Sequence, residues 1–195
     1  PQDTAFFLRQ LDDVLTDQNI GDDVTLMGYS MGGAIVSAFA AAQPHRVGRL
    51  VLLASAGLKI NESSFWQIAR RVPVLGDWLV GTFGANRVLA DIAPGNPLEA
   101  MQRAQLNQRG YLAAVLSSRR HFLMESQEDA LRTIGREDIP VTAIWGGQDQ
   151  AIPLQALGLM AQWNRNTVQD VVPGAGHALP RSHAAEIVNI LRQKD

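Results

Sequence analysis

Val24-Thr25-Leu26-Met27-Gly28-Tyr29-Ser30-Met31-Gly32-Gly33 is the stretch whose reading decides the fold. Its first residues have strand character, and an Ala-rich amphipathic run follows from Ala34 to Ala42. A strand, a serine and a helix in direct succession describe a very sharp turn. The serine backbone there is strained and its hydroxyl stands clear of the sheet, as in a nucleophile elbow. Such a turn leaves little room for side chains two residues before and two after the serine, where Gly28 and Gly32 stand. Gly33 lets the helix start close to its neighbouring strand. Taken alone, G-x-S-x-G is also compatible with a glycine-rich connection that binds nothing, because short motifs recur by chance.

Two later segments narrow the choice. Ile139 to Trp145 reads as a buried strand, with Gly146-Gly147-Gln148-Asp149 directly after it. Val168 to Val172 reads as another, followed by Pro173-Gly174-Ala175-Gly176-His177. An acid and a histidine thus each follow the carboxyl end of a strand, as Ser30 does. In a parallel sheet those loops share one edge, so residues distant in sequence converge there. Glu137 and Asp138 precede their strand and Asp170 lies within one, so they rank below Asp149 as the acid.

With these residues the chain resembles the serine-hydrolase branch of the α/β-hydrolase superfamily. The resemblance rests on Gly-Tyr-Ser-Met-Gly-Gly (28–33), Trp-Gly-Gly-Gln-Asp (145–149) with Ile152-Pro153 after it, and Gly-Ala-Gly-His (174–177). Gln43-Pro44-His45-Arg46-Val47 before Leu50-Val51-Leu52-Leu53 also matches the segment this family places after its elbow helix. The ends of the chain carry the likeness; residues 58–135 carry little of it. It implies an α/β fold, with a mostly parallel sheet flanked by helices and an inserted helical lid. The order Ser30, Asp149, His177 is the one this family uses.

The chemistry gives each residue a role. A serine hydroxyl is a poor nucleophile at neutral pH and needs a base within hydrogen-bond reach. His177 has the right setting and a pKa range suited to proton shuttling. Asp149 would hold the imidazole tautomer and stabilise the imidazolium. The backbone N–H of Met31, at the start of a helix, would donate to the oxyanion.

One part of the family pattern has no counterpart. A second oxyanion donor normally comes from a loop after an early strand, often marked by His-Gly, and no such segment precedes the elbow. The chain begins with Pro1, and Phe6 to Thr16 reads as the helix just before the nucleophile strand. At about 30 residues per βαβ unit, on the order of 60–90 residues of the family's N-terminal strands would be absent. The expectations that follow are an exposed apolar edge beside Val24 to Met27, self-association through it, and weak activity of the chain alone.

Composition bounds the rest. With 195 residues, 46% of them hydrophobic, the chain can bury a sizeable core. A net charge of −2 and no basic run beyond Arg119-Arg120 give no footprint for nucleic acid. The absence of cysteine removes disulfides and thiolate metal sites and fits a cytoplasmic protein. Apolar runs such as Leu50 to Leu58 are too short to span a bilayer. No His/Asp/Glu cluster has metal spacing, so neither metal nor cofactor is expected.

Residues 1–57 and 136–195 read as the sheet-bearing core and 58–135 as the helical lid. The strands are expected at 23–28 and 49–54, flanking a helix at 32–42. Within the lid, Ser63 to Arg71, Val74 to Phe83, Pro97 to Gln108 and Arg109 to Glu125 have helical spacing. Asn96-Pro97 reads as a cap followed by proline at the first helical position, and Ser126 with Asp129 as a capping box. His183 to Lys194 closes the chain as a helix. Tyr29, Phe65, Trp66, Trp78, Phe83 and His121 are candidates for a substrate pocket, although such aromatics are more often core and a lone helix histidine more often structural. Asn61-Glu62-Ser63 matches a glycosylation sequon that nothing else supports.

The resulting expectation is a serine-dependent hydrolase acting through an acyl-enzyme on a small, uncharged, partly apolar ester, thioester or lactone. The same elbow also resembles those of C–C bond hydrolases, menaquinone-pathway lyases and cofactor-free perhydrolases. A catalytically silent fragment acting as a binding module is the alternative of a different class.

Overall fold

The computed structural model describes residues 1–90 and 99–193. Along the chain these form α1 (Thr4–Asp17), β1 (Val24–Tyr29), α2 (Met31–Ala42), β2 (Val47–Leu53), α3 (Ser64–Arg71), α4 (Leu75–Ala90) and α5 (Glu99–Leu106). Then follow α6 (Tyr111–His121), α7 (Glu128–Arg136), β3 (Val141–Gly146), α8 (Gln155–Trp163), β4 (Val168–Val172), α9 (Leu179–Ser182) and α10 (Ala184–Arg192). The expected helix start at Asn96-Pro97 lies outside the described residues. Among the described residues no helix is long and apolar enough to cross a membrane.

The four strands form one sheet in the order β1-β2-β3-β4, and every pairing is parallel. This is what strands separated by helices produce, since a parallel neighbour needs a crossover. All of β3 is buried, as is Leu50–Leu53 of β2. Strands covered on both faces read as continuous apolar runs, and these do. Alternate residues face opposite layers: Val51 and Leu53 join Ile144, Val172, Leu179 and Ile187 in one cluster beneath α9 and α10. Leu50 and Leu52, also buried, point to the other face, where α2 crosses β1 and β2. β1 stands at one end of the order, and Met27 on it is 54% exposed.

The chain divides into two compact units. One holds this sheet, Thr4–Asn61 with Leu123–Asp195; the other holds Pro1–Asp3 with Glu62–Phe122. The helical stretch read from the sequence over 58–135 is therefore longer than the helical unit. The difference has a physical cause: α7 packs on α2, and its buried Leu131 and Ile134 belong to the sheet-bearing core.

The helical unit has its own small core of Trp66, Ala69, Val80 and Leu116, with Phe65, Val88, Leu112 and Val115 packed against it. Glu62, whose side chain is 3% exposed, is met by Arg70 at 3.2 Å and Arg119 at 3.6 Å, so its buried charge is paired. Arg120 ties Asp77 at 2.8 Å to the carbonyl of Ala69 at 3.0 Å, fastening α6 to α3 and α4.

Three local expectations are corrected. α4 runs past Phe83, where the expected helix Val74 to Phe83 stops, and continues through Gly84 to Ala90. Helix α8 was not anticipated, because Gly158 and the preceding Pro153 blur its periodicity. Ser126 does not cap α7 as a box residue. Gln127 is the N-cap, and the Ser126 hydroxyl accepts from the Glu128 N–H at 3.2 Å one position earlier than a box requires.

Candidate active site

Ser30 sits between β1 and α2 with φ 53° and ψ −119°, a backbone conformation an L-residue adopts only under constraint. Hydrogen bonds supply the constraint. The Ser30 N–H donates to the Leu53 carbonyl at 3.0 Å, and its own carbonyl accepts from Gly33 at 3.0 Å and Ala56 at 2.9 Å. The turn is also closed by contact. A Cβ on Gly28 would lie 2.5 Å from the Gly32 carbonyl oxygen and 2.6 Å from Val36, and one on Gly33 would overlap the Ser55 side chain. A Cβ on Gly32 would meet nothing within 4 Å. The crowding assigned from sequence to Gly28 and Gly32 therefore belongs to Gly28 and Gly33.

Asp149 lies in the loop after β3 and His177 in the loop after β4. The two loops are stitched together: Gly147 N–H donates to the Val172 carbonyl at 2.9 Å, and Gln148 N–H to that of Ala175 at 2.8 Å. Both carboxylate oxygens of Asp149 are used. Oδ1 accepts from the backbone N–H groups of Ala151 and Ile152, each at 2.8 Å. Oδ2 lies 2.8 Å from Nδ1 of His177, and the Asp149 side chain is fully buried. An ionised carboxylate only accepts, so Nδ1 carries a proton and Nε2 of the neutral ring is an acceptor. Nε2 stands 3.0 Å from Oγ of Ser30, in position to receive the hydroxyl proton. The three side chains named from the sequence thus form one hydrogen-bonded line.

Met31 is the first residue of α2, so its N–H has no acceptor within the helix and points outward at the positive end of the helix dipole. Tyr29 has a place the sequence did not signal. Its hydroxyl donates to the His177 carbonyl at 2.8 Å, and its ring lies 5.3 Å from the imidazole. Burial pushes the phenol above its ordinary pKa; the charge of Arg181 works against this and that of Asp149 adds to it.

The remaining candidates lie in the helical unit. Trp66 is core, with the Arg119 guanidinium 4.1 Å above its ring. Trp78 and Phe83 are exposed and meet edge to face at 6.0 Å. Phe65 and Phe83, with Leu79, Asn86 and Arg87, line a cavity of about 490 Å³ within that unit. His121 is exposed at the end of α6. Asn61 of the candidate sequon holds the acid loop: its side chain donates to the Gln150 carbonyl at 3.0 Å, and its N–H to that of Ala151 at 2.8 Å.

Residues 2–182 match the family described as alpha/beta hydrolase fold. The chain is 28% identical over 202 residues to a 2-hydroxymuconate semialdehyde hydrolase of Pseudomonas sp. (strain CF600), covering 92% of this chain and 66% of that protein. It is 22% identical to the human monoacylglycerol lipase ABHD6 over 195 residues, 85% of this chain and 54% of that protein. Among solved structures, an esterase (EaEST) from Exiguobacterium antarcticum superposes with a TM-score of 0.72 at 17% identity, over 98% of this chain and 73% of the other. The chain spans roughly half to two thirds of the length of these two relatives.

Proposed function

This chain belongs to the α/β-hydrolase fold family, and from that membership we propose a serine-dependent hydrolase with Ser30 as nucleophile, His177 as base and Asp149 as its orienting acid. The observation that carries the reading is the line from Ser30 Oγ to His177 Nε2 at 3.0 Å and from His177 Nδ1 to Asp149 Oδ2 at 2.8 Å.

The chemistry follows from that line. Nε2 takes the hydroxyl proton as Oγ attacks the carbonyl carbon of the substrate, and the imidazolium is stabilised by the buried carboxylate. The negative charge on the tetrahedral oxygen is met by the Met31 N–H. His177 returns its proton to the departing group, leaving an acyl-serine. Water then attacks the acyl group through the same base. The substrate class we propose is a small, uncharged, partly apolar ester, thioester or lactone. The cysteine-free sequence suits a reducing, cytoplasmic setting for this chemistry. The similarity to a hydrolase named for 2-hydroxymuconate semialdehyde favours a second reading, in which the same three residues hydrolyse a C–C bond beside a carbonyl.

A fluorophosphonate probe tests the nucleophile. It should label Ser30, and Ser30→Ala should abolish labelling and lower kcat on an ester panel by about 10⁴-fold or more with the fold intact. Wild-type turnover in Ser30→Ala would refute the assignment. A panel with 2-hydroxymuconate semialdehyde beside the esters separates the two readings.

A further inference from the structure

Ser30 is tied down by backbone bonds to Leu53, Gly33 and Ala56 and Asp149 by those of Ala151 and Ile152, whereas the His177 imidazole must keep both its partners in reach. The segment before it, Pro173-Gly174-Ala175-Gly176, is held by the Gln148 N–H on the Ala175 carbonyl at 2.8 Å and the Leu179 N–H on that of Gly176 at 3.2 Å, bonds that fall on residues ahead of His177. A contact on the His177 main chain itself comes from the residue next to the nucleophile. Tyr29 Oη donates to the His177 carbonyl oxygen at 2.8 Å, across 148 positions of sequence. The same side chain lays its ring against the imidazole, 5.3 Å between centroids and 36° between planes. One residue therefore touches the main chain and the side chain of the base, and it is covalently attached to Ser30.

We propose that Tyr29 is a positioning residue for His177, holding the base in register with the nucleophile through the hydroxyl-to-carbonyl hydrogen bond. For its effect on turnover this rests on the hydrolase reading above; for its effect on the imidazole it does not. The geometry explains why the link runs from this position. Tyr29 is the last residue of β1 and Ser30 is the strained turn, so any displacement of the elbow moves the phenol and the His177 carbonyl together. The proton-transfer distance is then defined relative to the nucleophile. The phenol is only partly shielded from solvent, but that burial still raises it above its ordinary pKa, so it remains a donor at neutral pH. Arg181 and Asp149 are the charged groups that act on it, and their effects oppose each other.

The Tyr29→Phe variant removes the hydroxyl and keeps the ring. Two readouts are taken on the full chain. The first is the proton NMR signal of His177 Nδ1–H, assigned with His177→Gln in protein carrying isotope-labelled histidine. The second is hydrolysis of p-nitrophenyl acetate. Loss of one hydrogen bond of ordinary strength should lower kcat by about three- to tenfold, with KM and melting temperature nearly unchanged. The Nδ1–H signal should exchange faster with water. A purely structural Tyr29 would lower the melting temperature and leave the imidazole signal of the folded fraction as it is. An unchanged signal in Tyr29→Phe overturns the proposal. If neither protein turns over the ester and the signal still changes, the positioning role stands and the hydrolase reading fails.

Discussion

At the scale of single residues, the elbow shows how little tolerance a catalytic turn has and where that intolerance ends. Ser30 holds a left-handed φ of 53° because three backbone hydrogen bonds and two glycine contacts leave it no alternative. The three neighbouring glycines are not equivalent. A methyl group on Gly28 would press on backbone atoms of Gly32 and Gly33, which cannot move without opening the turn. One on Gly32 would stand in open space, at the second position of α2, where alanine is a better helix former than glycine. Gly28→Ala should therefore destabilise the protein by about 1–3 kcal/mol or more, in the manner of an overpacked core. Gly32→Ala should be neutral, or stabilising by a few tenths of a kcal/mol up to about 1 kcal/mol. Urea unfolding of the two variants beside the parent checks both; equal losses would mean that the crowding lies elsewhere.

At the scale of elements, the site depends on how the loop after β4 is anchored. Leu179, only two residues beyond His177, opens α9 and is fully buried among Val51, Ile144, Val172 and Ile187. It is the plug that holds the histidine loop onto the sheet. Leu179→Ala should cost about 2–5 kcal/mol, the range for an emptied core position. Thermal unfolding gives the magnitude, and a loss under 1 kcal/mol would show that the loop has another anchor. Much of this level was legible beforehand, and for a physical reason. β3 is a continuous apolar run because both its faces are covered, and Gly146-Gly147 and Asp149 follow immediately in sequence, so strand, loop and functional residue are read as one local unit. The same locality explains what stayed hidden. The Tyr29–His177 hydrogen bond joins the end of β1 to the loop after β4 by tertiary contact alone, and the Asn61 side chain reaches the acid loop in the same way. The Ala151 and Ile152 N–H groups that hold Asp149 leave no mark on side-chain identity. α8 has a mixed pattern in which Ala156 and Met160 are buried and the helix packs on α7.

At the scale of the whole molecule, two cores of unequal size define two levels of stability. The sheet-bearing unit buries the whole of β3, most of β2, α2 and one face each of α7 and α10. Among its described residues the helical unit has a small core cluster of Trp66, Ala69, Val80 and Leu116, together with the charged network around Glu62. Buried apolar area is the main favourable term in folding, so the smaller core has less to set against the entropy of ordering its chain. Its helices also carry much exposed apolar surface, with Trp78 at 59% and Met101 at 64%. Unfolding of this chain should therefore not be a single cooperative step. Native-state hydrogen exchange, read by peptide mass spectrometry, should find amides of α3 to α6 exchanging through sub-global opening, and those of Leu50–Leu53 and Val141–Gly146 only through global unfolding. In urea, a Trp66 reporter should reach its midpoint before a Trp145 reporter, each read in a variant with the other tryptophans replaced by phenylalanine. Coincident midpoints, with equal protection in α3 and β3, would mean that the two cores fold as one. The functional consequence belongs to the same experiment. Ser30, Asp149 and His177 all belong to the larger unit, so the hydrogen-bonded line should persist at urea concentrations that have already opened the helices. Labelling of Ser30 by the fluorophosphonate should then outlast the Trp66 signal and disappear with that of Trp145.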